Sequence, residues 1–552
     1  MENKSKYLDK YGLFACLAVV CLSYIRCFQS FFAQDEWLAF ADVLGDVGKN
    51  PLVTVISYFR LEINHYNPLQ RIVFLTIFKL FNLNYQMWFG ASLVWHLVNV
   101  VLVYKLVLLN LKRKYYASIV ALLFGVSASI YQATTWVGAN INTHGATSFT
   151  LISIYYFIKY GKTGNFRRWS YSIVLLIAAL LFKEIAIGMF ALYALILYLS
   201  NNKNKHKQLI ATLATGVSFF VLRAGMLFIH NVGATPMITE TQSLTDITYN
   251  LLTFPMKTVT QTVIPLQYFI KISYFIAAKI PESLRPVIGT TTFDLFAQKI
   301  ILEGLSLAFF VIFSYLIYIV YIRHKDKEKK NIILFFYVYV ILNSLIYALS
   351  PERFGKINVL DSRNLYLTSV GVFILLIMIV DSLFKNKKAQ HIALSIVIIT
   401  NIVALTGQIK TLVDYGIIRK NILLAVKASH TKLPDRVVFY TQSDTSYFGL
   451  PETDKILPFQ SGLGQTLLVW YSEEKLPVQF YENKFLWEIK EEGYKEYDGR
   501  GFGYFRDKDK LFNAIKEYNI PSNAIIAYKW QGDIESLIEI TDEIKKEYET
   551  NN

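Results

Sequence analysis

Residues 11–37 read YGLFACLAVVCLSYIRCFQSFFAQDEW. The run from Tyr11 to Phe32 is apolar and matches the roughly 20 residues that a helix needs to cross a bilayer. Lys4, Lys6 and Lys10 precede it, which is the charge pattern of a signal sequence. The apolar stretch is long and has no evident small-residue cleavage site, so an uncleaved anchor is expected. Just beyond it stand two carboxylates, Asp35 and Glu36. A carboxylate at a membrane boundary is costly unless it is solvated, paired or used. Apolar residues flank this pair closely on both sides. All three cysteines, Cys16, Cys21 and Cys27, lie inside the same run, so none can staple another part of the chain. Neither a metal-ligand spacing nor a disulfide framework is present.

The rest of the chain has the same character. Its 552 residues are 54% hydrophobic, 15% aromatic and 18% charged, against about 45–50% apolar and 25% charged in soluble domains. The expected class is a polytopic α-helical membrane protein. The net charge of +15 is split unevenly. Residues 413–552 carry 18 Lys/Arg against 23 Asp/Glu, and residues 1–412 carry the remaining 38 against 18. The basic excess therefore belongs to short connections between apolar runs. That is the positive-inside pattern of a membrane protein, and no nucleic-acid partner is implied.

Six basic clusters mark the cytoplasmic side: Lys4/Lys6/Lys10, Lys112-Arg113-Lys114, Lys162 with Arg167-Arg168, Lys203/Lys205/Lys207, the run RHKDKEKK at 323–330, and Lys385/Lys387-Lys388. Returning the chain to that side each time requires about eleven spans. They are placed at 11–32, 86–109, 115–132, 145–160, two short spans within 169–200, 208–229, 300–322, 331–349, 366–384 and 391–412. Residues 1–412 thus form the membrane domain, with a cytoplasmic N-terminus, most simply in the plasma membrane. Residues 413–552 form a small α/β domain outside, with strands expected at 437–441 and 524–528. Helices are expected there around 460–472, 508–518 and 533–548. The aromatic residues of this tail read as its core rather than as sugar-stacking platforms.

Two outer segments are more than plain loops. In the first outer loop (33–85), residues 51–82 contain no window apolar enough to span. Pro51 and Pro68 read as helix starts, giving two amphipathic helices in the interface. Within the long outer segment 230–299, residues 244–280 look similar, with Pro255 and Pro265 as breaks.

The outer connections collect Asp35, Glu36, His65, Asn67, Trp136, Asn140, Asn142, His144, Lys183, Glu184, Arg353, Asp361, Arg363 and Tyr366. Acidic and basic groups converging on one membrane face can hold an anionic headgroup and deprotonate a hydroxyl. Polar groups on one side alone favour an interfacial site, because a translocation path needs polar residues at mid-bilayer depth. Each residue also has a plainer reading. Asp35-Glu36 suits a solvated loop, His65 the interface, His144 the start of a span, and Lys183-Glu184 a structural ion pair. Arg363 can snorkel, but arginine is also the natural bidentate ligand for phosphate. Arg26, His96 and Arg223 lie within spans and read as packing or snorkelling residues.

Four segments resemble the GT-C glycosyltransferases, in particular the dolichyl-phosphate-mannose-protein mannosyltransferases and the transmembrane tetratricopeptide O-mannosyltransferases. FFAQDEW (31–37) resembles the acidic motif of that family's first outer loop. HYNP (65–68) resembles the entry to its second interfacial helix, LLFKEIAIG (180–188) its Lys-Glu segment, and DSRNLYLTSVG (361–371) the start of a late span. The likeness covers residues 10–385 in order and side, and the tail carries no tetratricopeptide repeats. The resemblance implies an inverting sugar transfer from a polyprenyl-phosphate carrier to a protein, lipid or glycan acceptor on the non-cytoplasmic face, with no cofactor or metal assigned. Asp35 would be the catalytic base and Glu36 would orient it or the acceptor. His65, His144, Lys183, Glu184, Arg363 and Tyr366 would bind the donor's phosphate or sugar. The alternatives are an envelope-polysaccharide polymerase or ligase, a transporter of lipid-linked sugar, and an inactive assembly protein on the same scaffold.

Overall fold

A computed structural model of the chain describes residues 2–33, 35–46, 48–60, 66–200, 205–231, 243–284, 292–349, 357–446, 455, 457, 459 and 462–550. Helix α1 (Glu2–Tyr24) carries the first apolar run and tightens into a 3-10 turn at Ile25–Gln29. Three helices follow in the first connection: α2 (Glu36–Asp46), α3 (Pro51–Tyr58) and α4 (Pro68–Phe81). Both prolines open their helices as expected, at a position where the missing N–H forfeits no helical bond. Asn50 caps α3, its side chain accepting from Leu52 N at 2.9 Å.

Helices α5 (Tyr85–Leu111) and α6 (Lys114–Gly125) form a hairpin around the first internal basic cluster. The one-turn α7 (Gln132–Thr135) leads into α8 (Val137–Thr163), which packs along α9 (Phe166–Phe182). Then come α10 (Gly188–Leu199), α11 (Lys205–Asn231), α12 (Leu244–Val263), α13 (Leu266–Ala277), the single turn α14 (Phe293–Leu295), α15 (Leu302–Arg323), α16 (Lys327–Leu345), α17 (Ser362–Leu383) and α18 (Lys387–Ser429).

Seven of the described helical stretches are long and apolar enough to cross a membrane: Tyr11–Gln29, Tyr85–Leu111, Lys205–Met226, Phe293–Arg323, Lys327–Ala348, Ser362–Leu383 and Lys387–Ser429. The chain is a polytopic helical membrane protein. The remaining expected spans coincide with α6, α8, α9 and α10, which are shorter or more polar. At the centre lies α17, enclosed by α6, α8, α12, α15 and α16. Almost every residue from Asn364 to Val380 is buried, which is why this stretch is apolar all round rather than along one stripe.

Four of the six basic clusters gather at one end of the bundle. Lys112 and Lys162 each reach Glu328 at 3.0 Å, and Arg113 and Lys387 reach Asp381 at 3.1 and 3.5 Å. Asn165, Asp326 and Asn386 cap α9, α16 and α18 at this end by accepting from the backbone two residues ahead. These caps leave fewer orphan N–H groups at the turns.

Two expectations change. Pro255, expected as a break, sits inside α12, which runs unbroken from Leu244 to Val263. An internal proline costs about 3 kcal/mol. Burial of Thr253, Phe254 and the stretch Lys257–Thr262 against α15, α16 and α17 offsets it. This helix is therefore packed into the bundle rather than laid along the interface. Pro265 does separate α12 from α13. The last helix also runs past residue 412. At 43 residues, α18 is about 64 Å long at 1.5 Å per residue, and its second half carries the tail domain.

That domain holds a five-stranded sheet in the order β2-β3-β1-β4-β5. Strands β1 (Arg436–Ser443) and β4 (Ile525–Gln531) fall where strands were expected. β1 pairs in parallel with β3 (Arg500–Phe505) and with β4. The edges, β2 (Gly493–Tyr497) and β5 (Ser536–Glu539), are antiparallel to their neighbours. Helices α19 (Leu463–Trp470), α20 (Gln479–Glu482), α21 (Lys508–Glu517) and α22 (Thr541–Thr550) complete it. The domain docks on the first connection: α19 and α20 pack on α2, and Lys49 reaches Glu482 at 2.9 Å.

Candidate functional site

The acidic pair opens α2. The Asp35 carbonyl accepts the first helical bond, from Ala39 N at 3.0 Å, and its side chain is exposed. Glu36 is the first helical residue and only 1% exposed. A carboxylate in the first turn of a helix is favoured by the helix dipole, by about 0.3–1 kcal/mol. Four aromatic residues flank the pair. Trp37 packs on Phe32 and Phe31, and Trp470 of the tail packs on Phe31 and Trp37 with centroids 6.0 and 6.4 Å away. Behind them the Arg419 Nε of α18 donates to the Phe32 carbonyl at 3.1 Å.

Three of the expected site residues, Glu36, Lys183 and Arg363, approach the first two turns of α8. A Cβ on Gly138 would lie 3.2 Å from Glu36 Cγ, so the absence of a side chain there lets α2 abut the start of α8. The Arg363 guanidinium lies over the ring of Trp136, the residue that caps α8, at 4.2 Å from its centroid. Such a contact is worth about 0.5–2 kcal/mol and consumes none of the five N–H donors. The Asp361 carboxylate is 3.9 Å away, and among the described residues Arg363 makes no hydrogen bond. Two turns further along α8, Lys183 Nζ donates to Thr143 Oγ1 at 3.3 Å. Lys183 stands there because α9 ends at Phe182 and the chain turns sharply before α10.

Other expected residues are placed differently. Glu184 is engaged by Arg223 of α11 in a close ion pair, so it ties two helices together instead of joining Lys183. Tyr366 does not face the outer connection. It is fully buried, its hydroxyl 2.7 Å from His96 Nδ1 and accepting from Asn99 Nδ2 at 3.3 Å. One turn of α17 separates it from Arg363 and rotates its ring into the bundle. His144 is also fully buried, its ring against those of Tyr366 and His96 at 5.0 and 5.9 Å. Neither of its ring nitrogens has a hydrogen-bond partner among the described residues. His65 and Arg353 lie outside the described residues. Among the described residues no three His, Cys, Asp or Glu side chains are grouped to hold a metal ion.

Two features were missed in the sequence. One is the buried network around His96, in which Ser148 Oγ donates to Asn99 Oδ1 at 2.6 Å and Trp95 Nε1 donates to Ser148 Oγ at 2.9 Å. The other is Lys257 of α12, which is fully buried. It donates to Thr253 Oγ1 at 3.0 Å and to the Ile357 carbonyl, and lies 3.3 Å from Glu303 of α15. Burial pushes its ammonium down to about 7. A single lysine in the otherwise uncharged stretch 250–264 is the signal that could have flagged it.

No protein-family model matches the chain, and no curated protein matches it. Among solved structures it is similar to ArnT from Cupriavidus metallidurans, crystallised bound to undecaprenyl phosphate. The sequence identity is 11% and the TM-score 0.47, over 95% of this chain and 93% of that one.

Proposed function

We propose that the chain is a GT-C-type membrane glycosyltransferase that moves a sugar from a polyprenyl-phosphate carrier to an acceptor hydroxyl at the end of the bundle where the tail domain sits. The observation that carries this reading is Arg363. Its guanidinium rests on Trp136 with its donors, among the described residues, uncommitted to hydrogen bonds, on the same stretch of α8 that Lys183 and Glu36 approach. An arginine held by its face and open at its edge suits bidentate binding of a phosphate. Apolar helix faces beside it suit the polyprenyl chain.

The chemistry divides among these groups as follows. Asp35, exposed at the start of α2, takes the proton from the acceptor hydroxyl. The acceptor oxygen bonds to the anomeric carbon as the bond from that carbon to the phosphate oxygen breaks on the opposite face. Configuration inverts and polyprenyl phosphate leaves. Arg363 and Lys183 stabilise the charge that grows on the leaving phosphate. Glu36, buried against Gly138, fixes the orientation of the turn that carries Asp35. Glu184 and Tyr366 contribute by holding the scaffold.

The test uses purified protein in proteoliposomes with a panel of polyprenyl-phosphate sugars and hydroxyl acceptors, comparing wild type with Asp35→Asn. Transfer by the wild type, with at least about 100-fold loss in the variant and unchanged polyprenyl-phosphate binding, supports the assignment. Near wild-type turnover in Asp35→Asn refutes the base. Movement of lipid-linked sugar across the bilayer without transfer would establish the transporter reading instead.

A further inference from the structure

Helix α12 grips the chain just ahead of Arg363. Asn250 Oδ1 accepts from Ile357 N at 3.1 Å, Lys257 donates to the Ile357 carbonyl, and Gln261 Oε1 accepts from Leu360 N at 3.2 Å. The same helix holds the other half of the arrangement. Ser129 donates to the Gln261 carbonyl, and three residues on, Gln132 N donates to Ser362 Oγ at 3.0 Å. Gln132 opens the single turn that leads directly to Trp136. Thus one buried helix fixes both the root of Arg363 and the root of the ring on which its guanidinium rests. Asn250, Lys257 and Gln261 are each 0–1% exposed, and Lys257 is anchored in turn by Glu303 of α15. Burying an ammonium and two amides at a segment of chain that carries no regular structure is expensive unless each is satisfied. Here the lysine and both amide oxygens are engaged by backbone or by a charged partner. Packing alone needs none of them, since aliphatic side chains would fill the same space.

We infer that Lys257 and Gln261 are positioning residues for the anion-binding pair Arg363 and Trp136, with Asn250 as a third point of the clamp. This rests on the phosphate role proposed for Arg363, but its geometry can be tested without it. They touch no reacting atom in this account. Their effect is to hold residues 357–362 in one conformation, so that the guanidinium does not have to be ordered when the anion binds.

The experiment compares wild type with Lys257→Met and Gln261→Leu, and with Gln261→Glu, which keeps an acceptor oxygen for Leu360 N. Three readouts are taken on the detergent-purified full chain: amide exchange of peptides covering 357–366, phenylglyoxal modification of Arg363 followed by mass spectrometry, and affinity for a polyprenyl phosphate. Lys257→Met and Gln261→Leu are expected to speed exchange across 357–362 and modification of Arg363 by about tenfold. Peptides from α18 and the sheet should exchange as in wild type, and Gln261→Glu should remain close to wild type. Wild-type exchange and modification in both Lys257→Met and Gln261→Leu would overturn the inference, as would a uniform rise over the whole chain. Should either variant fail to fold, Asn250→Ala removes a single acceptor and is held to the same criteria. A wild type that binds no polyprenyl phosphate, while the local exchange changes persist, would sink the phosphate role and leave the clamp standing.

Discussion

Arg363 and Glu184 show how far residue type alone can be read. Both were charged groups near span ends that the resemblance assigned to the donor, its phosphate or its sugar. Among the described residues the donors of Arg363 are unused by hydrogen bonds, and Glu184 pairs with Arg223. Charge-assisted hydrogen bonds are worth about 1.5–3 kcal/mol, so Arg363→Gln should weaken polyprenyl-phosphate binding roughly 10–100-fold, measured by titration in detergent. Arg223→Met should leave that affinity within about twofold. It should lower the thermal midpoint instead, because it removes the Arg223 partner of the Glu184 carboxylate, whose side chain is 29% exposed, at a cost of about 1 kcal/mol after solvent screening. A fall in affinity without a loss of stability in Arg223→Met would return Glu184 to the donor site.

At the scale of elements, the long helix α18 is the piece that joins membrane domain, acidic pair and tail. Its course depends on Gly416. A Cβ there would lie 2.3 Å from Ser30 Oγ and 2.7 Å from Phe31 N, and the second of these is backbone that cannot swing aside. Gly416→Val should therefore push α18 away from the turn that leads to Asp35. The expected cost is about 1–3 kcal/mol for overpacking, seen as a lower thermal midpoint, together with reduced transfer activity. An unchanged midpoint would mean that the helix can shift at no cost. Element boundaries were legible where local chemistry is strong: prolines at the starts of α3 and α4, and apolar runs ended by Lys112 or Lys385. They were not legible where tertiary packing overrides it, as for Pro255 inside α12. The β2–β3 hairpin was also missed, although its signal was present. Asp498 and Gly499 both have positive φ, 51° and 77°, the Asp-Gly turn that two-residue hairpins favour. The glycine-rich strand after it obscured the pattern.

At the scale of the whole molecule, charge and hydropathy decided most. The recurrence of basic clusters assigned Lys112-Arg113-Lys114, Lys162 with Arg167-Arg168, the 323–330 run and Lys385/Lys387-Lys388 to one side, and members of all four meet in ion pairs through Glu328 and Asp381. The docking of the tail on α2 follows from no local sequence pattern, because complementarity between distant surfaces leaves no period to read. The same was true of the α12 clamp. These two ends should face opposite compartments. Lys329→Cys, at the basic end, should react with a membrane-impermeant thiol reagent only after permeabilisation, and Lys516→Cys, on the tail, should react in intact cells. Labelling of both from one side would contradict the topology. The central claim is that the meeting point of Arg363, Lys183 and the acidic pair receives a lipid phosphate. The most direct measurement is an experimental structure of the protein in a lipid nanodisc with a polyprenyl phosphate. We predict density for the phosphate within hydrogen-bond reach of the Arg363 guanidinium and beside Lys183, with the chain leaving along the apolar helix faces. Phosphate density at the basic end, among Lys112, Arg113 and Lys329, with none at Arg363, would contradict the account.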